Sequence, residues 1–493
     1  MRRLKRTRSI CPECFKAIDA IIYEEDGQVK MKKECPEHGA YEDVYWSSFD
    51  QYVKAQRYSV MGDGVENPMT ECVKGHPFDC GLCPNHKSHT ALAIIDVTNR
   101  CNLRCPICFA NAAVAGYVYE PTQDQIMGML KTLRSIRPLP VAALQFSGGE
   151  PTVREDLPVL IRMAKELGFN HVEVNSNGIR LAESTEYCKE LLDAGVSTIY
   201  LQFDGVTAEP YLVTRGKDLL QTKLRAIENC RRVGLDSIVL VPTVVRGVND
   251  DQLGPIIGFA AENFDVVRCV NFQPVSITGR IDRDRRREVR ITIPECLERI
   301  EEQTDGQIRV SDFYPVPFVV PISRAVGALK GKRYVEFTTH EHCGMATFIL
   351  LEDDKLVPIT GYGDVEKFVK AMDKVYEEAV SGSVTRARLR MISALRYVRF
   401  GLIRKLIWAV LRDGTYRALG NLMNKMLMVG MMHFMDPYNF DLERAERCCI
   451  HYAVPDGRVI PFCTMNTLHR ASVEKKFSVP AKEWRGSSLD QRK

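Results

Sequence analysis

The stretch from Asp96 to Phe109 reads Asp96-Val-Thr-Asn-Arg-Cys101-Asn-Leu-Arg-Cys105-Pro-Ile-Cys108-Phe109 and sets three cysteines at CxxxCxxC spacing after a predicted strand. Three thiolates can hold a 4Fe-4S cube and leave one iron open to a small molecule that binds through an amine and a carboxylate. A closed structural zinc site needs four ligands, and this loop supplies three. The spacing therefore predicts a cubane cluster with one exchangeable position.

The sequence around this loop, from about residue 91 to residue 274, alternates short β-rich runs with longer helical runs, as successive βα units do. Strands are predicted at Leu92–Val97, Ala143–Phe146, His171–Val174, Thr198–Phe203, Ser237–Thr243 and Val266–Gln273. Helices are predicted at Gln123–Ser135, Arg154–Leu167 and Leu219–Val233. Six units are too few for a closed eight-fold barrel. We therefore predict an α/β fold built on a partial (β/α)6 barrel whose strand ends carry the chemistry.

Two further motifs follow the next strands, Ser147-Gly-Gly-Glu150 with Pro151 and Asn175-Ser-Asn-Gly178. With the cysteine loop, their order and spacing resemble the radical S-adenosylmethionine (SAM) superfamily. The resemblance implies that Cys101, Cys105 and Cys108 hold the catalytic cluster, which cleaves SAM to a 5'-deoxyadenosyl radical. It also implies SAM contacts from Ser147, Gly148, Gly149, Glu150, Asn175, Asn177, Gln202 and Phe109. Ile107 departs from the aromatic residue that members often carry before the third cysteine.

The composition is that of a folded, water-soluble protein. Of its 493 residues 45% are hydrophobic and 26% charged, and the net charge of +4 indicates no nucleic-acid partner. The basic amino terminus runs straight into Cys11-Pro-Glu-Cys14 without the apolar segment of a signal peptide, and no apolar run reaches the roughly 18 residues of a membrane span. We expect a cytoplasmic protein with at most peripheral membrane contact.

Seventeen cysteines fall into short-spaced groups, which indicates metal ligation rather than a disulfide scaffold. The first group pairs a CxxC with a CxxH motif about twenty residues later. It comprises Cys11, Cys14, Cys35 and His38. Such a set clamps one tetrahedral ion, and zinc and a rubredoxin-like iron use the same ligands.

The second group is Cys72, His76, Cys80 and Cys83, and four more cysteines follow far downstream, Cys343, Cys448, Cys449 and Cys463. If the fold brings these groups together, they suffice for two auxiliary 4Fe-4S clusters. The sequence leaves open which of Cys72 and His76 and which of Cys448 and Cys449 are ligands. Four single cysteines are interpreted as buried apolar residues, Cys188, Cys230, Cys269 and Cys296.

Four regions are predicted: a metal-binding domain at 1–60, an auxiliary cluster segment at 61–90, the barrel at 91–330 and a helix-rich auxiliary cluster and lipid-binding region at 331–493. In the last region, Arg386 to Arg412 carries eight Lys/Arg residues and no acid among apolar residues at helical spacing. This pattern is typical either of a helix on an anionic bilayer or of a core helix with a solvated face. A methionine cluster follows, Met423, Met426, Met428, Met431, Met432 and Met435, which can repack around long apolar chains or simply fill a core.

Several passages resemble the archaeal tetraether lipid synthases of the same superfamily. They include Val44-Tyr-Trp-Ser47, Asp79-Cys-Gly-Leu-Cys-Pro-Asn-His-Lys-Ser88 and Pro455-Asp-Gly-Arg-Val-Ile-Pro-Phe-Cys463. The resemblance implies an enzyme that joins the terminal methyl carbons of two phytanyl chains of a diether lipid at the membrane surface. It also implies two auxiliary 4Fe-4S clusters, a mononuclear iron rather than zinc, and an electron donor such as ferredoxin or flavodoxin.

Three other functions stay open. Relatives with these motifs methylate a reduced pterin precursor at carbon, a radical SAM lipid enzyme would alternatively cross-link chains mid-tail, and a non-enzymatic iron-sulfur electron carrier would use the same cysteines. The intact SAM motifs argue against the carrier. The pterin hypothesis predicts a compact polar pocket with carboxylates, whereas the lipid hypothesis predicts long apolar tunnels beside Arg386–Arg412. By their position at strand ends alone, Asp204 and Gln273 are candidates to face the substrate.

Overall fold

A computed structural model describes residues 1–484 except positions 80, 114, 354, 400, 416, 417, 419, 421 and 423, and it leaves out the side chains of residues 402, 403 and 406. The amino-terminal region forms a four-stranded antiparallel sheet in the order β1-β2-β3-β4. Its strands are β1 (Arg2–Ile10), β2 (Ala17–Glu25), β3 (Gln28–Cys35) and β4 (Gly39–Trp46). Helix α1 (Phe49–Gln56) follows and is capped by Ser48, whose side chain accepts a hydrogen bond from the backbone amide of Gln51.

The rest of the chain is organised on one large mixed sheet. Its strands, with one small separate pair, are β5 (Leu92–Thr98), β6 (Tyr117–Tyr119), β7 (Ala143–Gly148), β8 (His171–Ser176), β9 (Thr198–Gln202), β10 (Ile238–Val241), β11 (Thr243–Val244), β12 (Val267–Pro274), β13 (Tyr314–Pro315), β14 (Gly344–Glu352), β15 (Lys355–Pro358), β16 (Leu427–Met432), β17 (Ile450–Ala453), β18 (Val459–Pro461) and β19 (Ser478–Pro480). The small pair is β6 with β19.

Six parallel strands form the partial barrel, in the order β12-β10-β9-β8-β7-β5. The outer helices include α2 (Gln123–Ser135), α3 (Leu157–Glu166), α4 (Ile179–Glu183), α5 (Thr185–Ala194), α6 (Glu209–Arg215), α7 (Leu220–Val233), α8 (Leu253–Glu262), α9 (Arg286–Val289) and α10 (Ile293–Gln303). Alternate strand residues such as Val172 and Val174 pack with helix residues in one hydrophobic cluster. The prediction of an α/β partial barrel is confirmed, and its strand positions agree closely.

The carboxy-terminal region is helical, as predicted, and several of its strands also extend the barrel sheet on both sides, which the sequence did not predict. Strand β16 pairs in parallel with β12 and antiparallel with β14, and β17 pairs in parallel with β5. The methionine-rich run of β16 is apolar enough to continue a buried sheet. Its pairing with β12 and β14 therefore favours a strand over a helix. The strands that bracket the barrel therefore come from residues far along the chain.

A layer of helices does cover this end, as predicted: α11 (Val320–Lys330), α12 (Val365–Val380), α13 (Val384–Ala394) and α14 (Gly401–Asp413). They share a hydrophobic cluster that contains Phe368, Met372, Met391 and Leu411. Among the described residues, no helix is both long enough and apolar enough to cross a bilayer.

Candidate functional site

The cysteine loop lies at the carboxyl end of β5 and is held tightly by the glycines that follow β7. A Cβ atom added at Gly148 would lie 2.1 Å from the carbonyl oxygen of Thr98, and one at Gly149 would lie 2.2 Å from that of Arg100. Gly148 also has a φ of +131°, which side chains rarely adopt. Only glycine permits this approach of two loops. The contact fixes the backbone next to Cys101 against the predicted SAM-binding turn.

Glu150 joins the motifs after β7 and β8. Its carboxylate is 1% exposed, and its Oε1 atom accepts hydrogen bonds from the amide and hydroxyl of Thr152 and from the hydroxyl of Ser176. Oε2 accepts one bond, from the amide of Asn177 at 2.6 Å. Burial raises the pKa of Glu150 above its ordinary value, although these hydrogen bonds oppose the rise. Oε2 therefore keeps acceptor capacity for a cation such as the methionyl ammonium of SAM.

The other predicted SAM contacts lie along the same edge of the barrel. The Asn175 amide donates to the Ser147 hydroxyl at 3.3 Å. Lys223, which sequence reasoning missed, donates to the Gln202 side-chain oxygen at 2.8 Å and to the backbone carbonyl of Asn177. Burial lowers the pKa of Lys223 to about 7. These two hydrogen bonds hold the Gln202 side chain and the loop that carries Asn177, and both residues are predicted SAM contacts.

Asp204, a candidate substrate contact from its position alone, is fully buried and paired with Arg215. Arg215 binds its carboxylate through two bonds, from Nε to Oδ2 at 2.6 Å and from Nη2 to Oδ1 at 2.9 Å. The same guanidinium donates to the carbonyl of Ile107, between Cys105 and Cys108, at 3.2 Å. Asp204 thus anchors a cation that braces the cysteine loop. Phe109, at the end of that loop, lies against Phe462 with ring centroids 6.0 Å apart.

The amino-terminal group brings its four predicted ligands together. Ligand atoms of Cys11, Cys14, Cys35 and His38 all lie within 4.8 Å of one another. The His38 Nδ1 atom is 3.7 Å from Cys11 Sγ and 3.5 Å from Cys35 Sγ, and the Cys14 and Cys35 sulfurs are 3.9 Å apart. A tetrahedral site with bonds of about 2.3 Å to sulfur has edges of about 3.8 Å. The donor set fits a single zinc or iron ion.

The second cysteine segment packs on the carboxy-terminal region, as the hypothesis of shared clusters requires. Cys80 lies outside the described residues. The Cys83 sulfur is 3.1 Å from His76 Nε2, and the exposed Cys72 sulfur accepts a bond from Asn85. Burial raises the pKa of Cys83, and the nearby charge of Cys72 adds to that rise. Both Cys72 and His76 are therefore close to Cys83, and the choice between them stays open.

The downstream cysteines form a separate group of neighbouring thiols. Burial raises the pKa of Cys463, and the charges of Cys448 and Cys343 raise it further. Arg444 donates to the Cys343 sulfur at 3.4 Å. Cys449 is within hydrogen-bond reach of the hydroxyls of Ser88 and Thr338, which lower its pKa against the effect of burial. The charge of Cys343 also raises the pKa of Cys449, so both Cys448 and Cys449 lie near Cys343.

Polar side chains from four strands lie on the inner face of the barrel, beside apolar ones such as Val239 and Ile94. Side chains on this face include Gln145, His171, Glu173, Thr198, Tyr200, Asn271 and Gln273. Gln145 donates to Glu173 at 2.9 Å, and Asn271 and Gln273 both donate to the Tyr200 hydroxyl. Sequence reasoning named only Gln273 here. Side chains alternate between the two faces of a strand, so this alternation could have identified the other inner-face residues if the face that points inward had been known.

Of the four single cysteines, three are buried as predicted, Cys188, Cys230 and Cys296. Cys269 is only partly buried and lies on the inner face of β12, where burial and the charge of Glu173 raise its pKa to about 12. It is thus part of the lumen lining rather than of the hydrophobic core.

The features that suggested a lipid substrate have other roles. Helix α13 buries Ala387, Met391 and Ala394 against neighbouring helices, and Arg390 pairs with Glu378 of α12. Of the methionines that the structure describes in the methionine cluster, Met428 and Met432 lie on the face of β16 that continues the inner face of β12. Met426, Met431 and Met435 belong to three different hydrophobic clusters, while Met423 lies outside the described residues.

Comparison with known proteins places these features in context. The family model of the radical SAM superfamily matches residues 95–260, and that of the HMPTM N-terminal zinc ribbon domain matches residues 3–47. A 7,8-dihydro-6-hydroxymethylpterin dimethyltransferase from Methanocaldococcus jannaschii is 52% identical over 98% of this chain and 97% of its own length. A GTP 3',8-cyclase from Peptoclostridium acidaminophilum is 28% identical over 38% of this chain and 57% of its own. The solved structure of Streptococcus suis SuiB bound to S-adenosylmethionine is 16% identical, with a TM-score of 0.35 over 45% of this chain and 48% of its own.

These findings correct the lipid assignment. The prediction of a tetraether lipid synthase that joins phytanyl chains is wrong, because the relative that matches nearly the whole chain is named for a pterin. The predicted diether lipid substrate and membrane surface are wrong with it. The resemblance misled because superfamily motifs specify the radical chemistry and leave the substrate open. The prediction of a radical SAM protein with a 4Fe-4S cluster and SAM is confirmed by the match to the superfamily model.

Proposed function

Because this chain belongs to the radical SAM superfamily and to the family of the Methanocaldococcus jannaschii 7,8-dihydro-6-hydroxymethylpterin dimethyltransferase, we propose that it attaches methyl groups to carbon atoms of a reduced pterin. The observation that carries the proposal is the group of polar side chains on the inner face of the barrel. Amide, hydroxyl and carboxylate groups from β7, β8, β9 and β12 meet there. Such groups suit a flat heterocycle with several donors and acceptors, and they would leave a hydrocarbon chain facing unsatisfied polar atoms.

Cys101, Cys105 and Cys108 would hold the core cluster. When bound, the cluster and SAM supply a 5'-deoxyadenosyl radical that removes a hydrogen atom from a carbon of the substrate. The role of the protein is to position the two molecules and to exclude water. Arg215 braces the cysteine loop through the Ile107 carbonyl, and the close approach of Gly149 to the same loop keeps its backbone in place.

SAM would lie across the carboxyl ends of β7, β8 and β9. Glu150 Oε2 would accept the methionyl ammonium, while Asn175 and Gln202 would face the ribose. Lys223 holds the Gln202 side chain and the Asn177 carbonyl, so it acts as a positioning residue for the ribose contacts.

The remaining metal centres support this assignment without defining its chemistry. The amino-terminal set of Cys11, Cys14, Cys35 and His38 would hold one zinc or iron ion, and the zinc ribbon model over residues 3–47 agrees with that donor set. Two further sets would hold auxiliary 4Fe-4S clusters. One contains Cys83 with Cys72 or His76, and the other contains Cys343 and Cys463 with Cys448 or Cys449.

The experiment is anaerobic incubation of the reconstituted protein with SAM, a reductant and 7,8-dihydro-6-hydroxymethylpterin, followed by mass spectrometry. We expect 5'-deoxyadenosine and a pterin that has gained one or two methyl groups. Since SAM is the only methyl source in this mixture, each methyl group gained should be matched by one 5'-deoxyadenosine and one methionine from the SAM that is cleaved and by one S-adenosylhomocysteine from a second SAM, with two electrons from the reductant. The Cys105→Ala variant should lose both products, because the core cluster loses one of its three ligands. A pure electron carrier would instead keep the activity that its other clusters support. An unchanged pterin in the presence of 5'-deoxyadenosine would contradict the proposed substrate.

A further inference from the structure

Glu173 occupies the position on β8 directly below the predicted SAM contacts. It lies two residues before Asn175 on the same face of the strand, which is a step of about 6.6 Å along the barrel. Its side chain is 15% exposed, so it borders accessible space rather than packed core. Gln145, directly opposite on β7, donates to its Oε2 atom at 2.9 Å.

Within the part of the chain that the structure describes, no lysine or arginine forms an ion pair with the carboxylate of Glu173. Among the described residues its single ion-pair partner is His171, at 3.0 Å from Oε1, and that ring is charged only when protonated. Each carboxylate oxygen can accept two hydrogen bonds, and each here receives one. A largely enclosed carboxylate of this kind is stabilised when further donors meet it. The remaining acceptor positions of the Glu173 carboxylate are therefore suited to the hydrogen-bond donors of a ligand.

Tyr200, on the neighbouring strand β9, supplies the complementary group. Its hydroxyl oxygen accepts hydrogen bonds from Asn271 at 2.5 Å and from Gln273 at 3.1 Å. With both of these positions used as acceptors, the phenolic hydrogen is free to donate. In the strand register Tyr200 pairs with Asn175, so it is a diagonal neighbour of Glu173. Side chains of this length can reach a shared ligand from diagonal positions.

We propose that Glu173 and Tyr200 read the pyrimidine edge of the pterin and determine its specificity, an inference that rests on the proposed function. That edge presents a 2-amino donor, an N3–H donor and a 4-oxo acceptor in a row. The carboxylate of Glu173 accepts from the two donors in parallel, and the Tyr200 hydroxyl donates to the oxo group. Three adjacent groups on the ligand thus meet three complementary sites on the protein.

This orientation also places the reacting ring. With the pyrimidine edge at Glu173, the pyrazine ring and its hydroxymethyl group extend along β8 toward Asn175 and Gln202. The strand step of about 6.6 Å matches the length of a fused two-ring system. The carbons that receive methyl groups then lie at the level of the SAM ribose.

The test compares two ligands on three proteins. The ligands are 7,8-dihydro-6-hydroxymethylpterin and its lumazine analogue, in which a 2-oxo acceptor replaces the 2-amino donor. The proteins are the reconstituted wild type, Glu173→Gln and the control Glu262→Gln, a substitution at an exposed helix end. Binding is measured by anaerobic calorimetry in the presence of SAM, and SAM affinity is measured separately to show that each variant retains its fold.

We expect the wild type and Glu262→Gln to prefer the pterin. Glu173→Gln should bind the pterin about 10- to 100-fold more weakly and should gain affinity for the lumazine, because the glutamine amide can donate to the 2-oxo group. Tyr200→Phe should weaken both ligands alike, since both carry the 4-oxo acceptor. An unchanged preference in Glu173→Gln with wild-type pterin affinity would overturn the inference. Failure of the wild type to bind the pterin would instead refute the proposed function.

Discussion

Replacing Arg215 by methionine removes the cation from a buried ion pair beside the cysteine loop. The guanidinium makes two bonds to Asp204, one to the Thr243 hydroxyl at 3.1 Å and one to the Ile107 carbonyl at 3.2 Å. Asp204 is 0% exposed, and breaking such a pair typically costs about 3–5 kcal/mol because a charge stays buried without compensation. Three other donors still reach the carboxylate, so we expect the lower end, about 3 kcal/mol.

The assay is urea unfolding under anaerobic conditions, with the free energy of unfolding extrapolated to zero denaturant. The matched control is Arg232→Met, whose partner Glu228 and own side chain are exposed, and it should change stability by less than about 0.5 kcal/mol. Adding Asp204→Asn to Arg215→Met should recover about 1.5 kcal/mol by removing the stranded charge. Wild-type stability in Arg215→Met, or additive losses in the double variant, would refute the reasoning.

Three further predictions concern pH, metal content and SAM binding. Burial lowers the pKa of His89 from its ordinary 6.5 to about 4, and its Nε2 atom accepts the Glu336 amide. The unfolded chain therefore takes up this proton first as the pH falls, so His89 contributes about 3 kcal/mol to the stability lost between pH 6.5 and pH 4, in addition to the share of other buried histidines such as His86. His89→Gln should reduce the pH dependence of unfolding by that amount, and an unchanged dependence would contradict this assignment. Cys14→Ser should lower the bound metal by one equivalent in elemental analysis and leave the 4Fe-4S absorbance intact, whereas unchanged metal would argue against the amino-terminal site. Lys223→Met should weaken SAM binding about 10-fold in calorimetry with no loss of iron, and equal affinity would show that the Gln202 contact is dispensable.

The barrel and its cysteine loop could be predicted from the sequence because both depend on patterns of residues that are close together in the chain. The CxxxCxxC spacing and the glycine turn each lie within a few residues, and the strand positions follow from short β-rich runs bounded by helices. The four ligands at the amino terminus likewise come from two short motifs, and the fold brings them within 4.8 Å.

The outer strands could not be predicted, because their partners are distant. Ile450 pairs with Leu92, which lies more than three hundred residues earlier in the chain, and no local sequence pattern predicts such a pairing. The basic stretch misled for a related reason. Arg390 has no acid nearby in sequence, yet Glu378 of the preceding helix pairs with it. A charge pattern along one helix does not reveal what the adjacent helix supplies.

The candidate substrate groups were missed because period-two alternation tells which residues share a face without telling which face is inside. Glu173 and Tyr200 sit at alternate positions of strands that the sequence does predict. Their significance follows from the curvature of the partial barrel, which turns one face of each strand toward a common space.

The most direct test of the central claim follows a deuterium atom. The reconstituted protein is incubated with SAM, a reductant and 7,8-dihydro-6-hydroxymethylpterin that carries deuterium on its reduced ring carbon and hydroxymethyl group, beside a deuterated archaeal diether lipid in a parallel reaction. Our account predicts deuterium in the 5'-deoxyadenosine formed with the pterin, together with a methylated pterin. Deuterium transfer from the lipid chain, with none from the pterin, would contradict it.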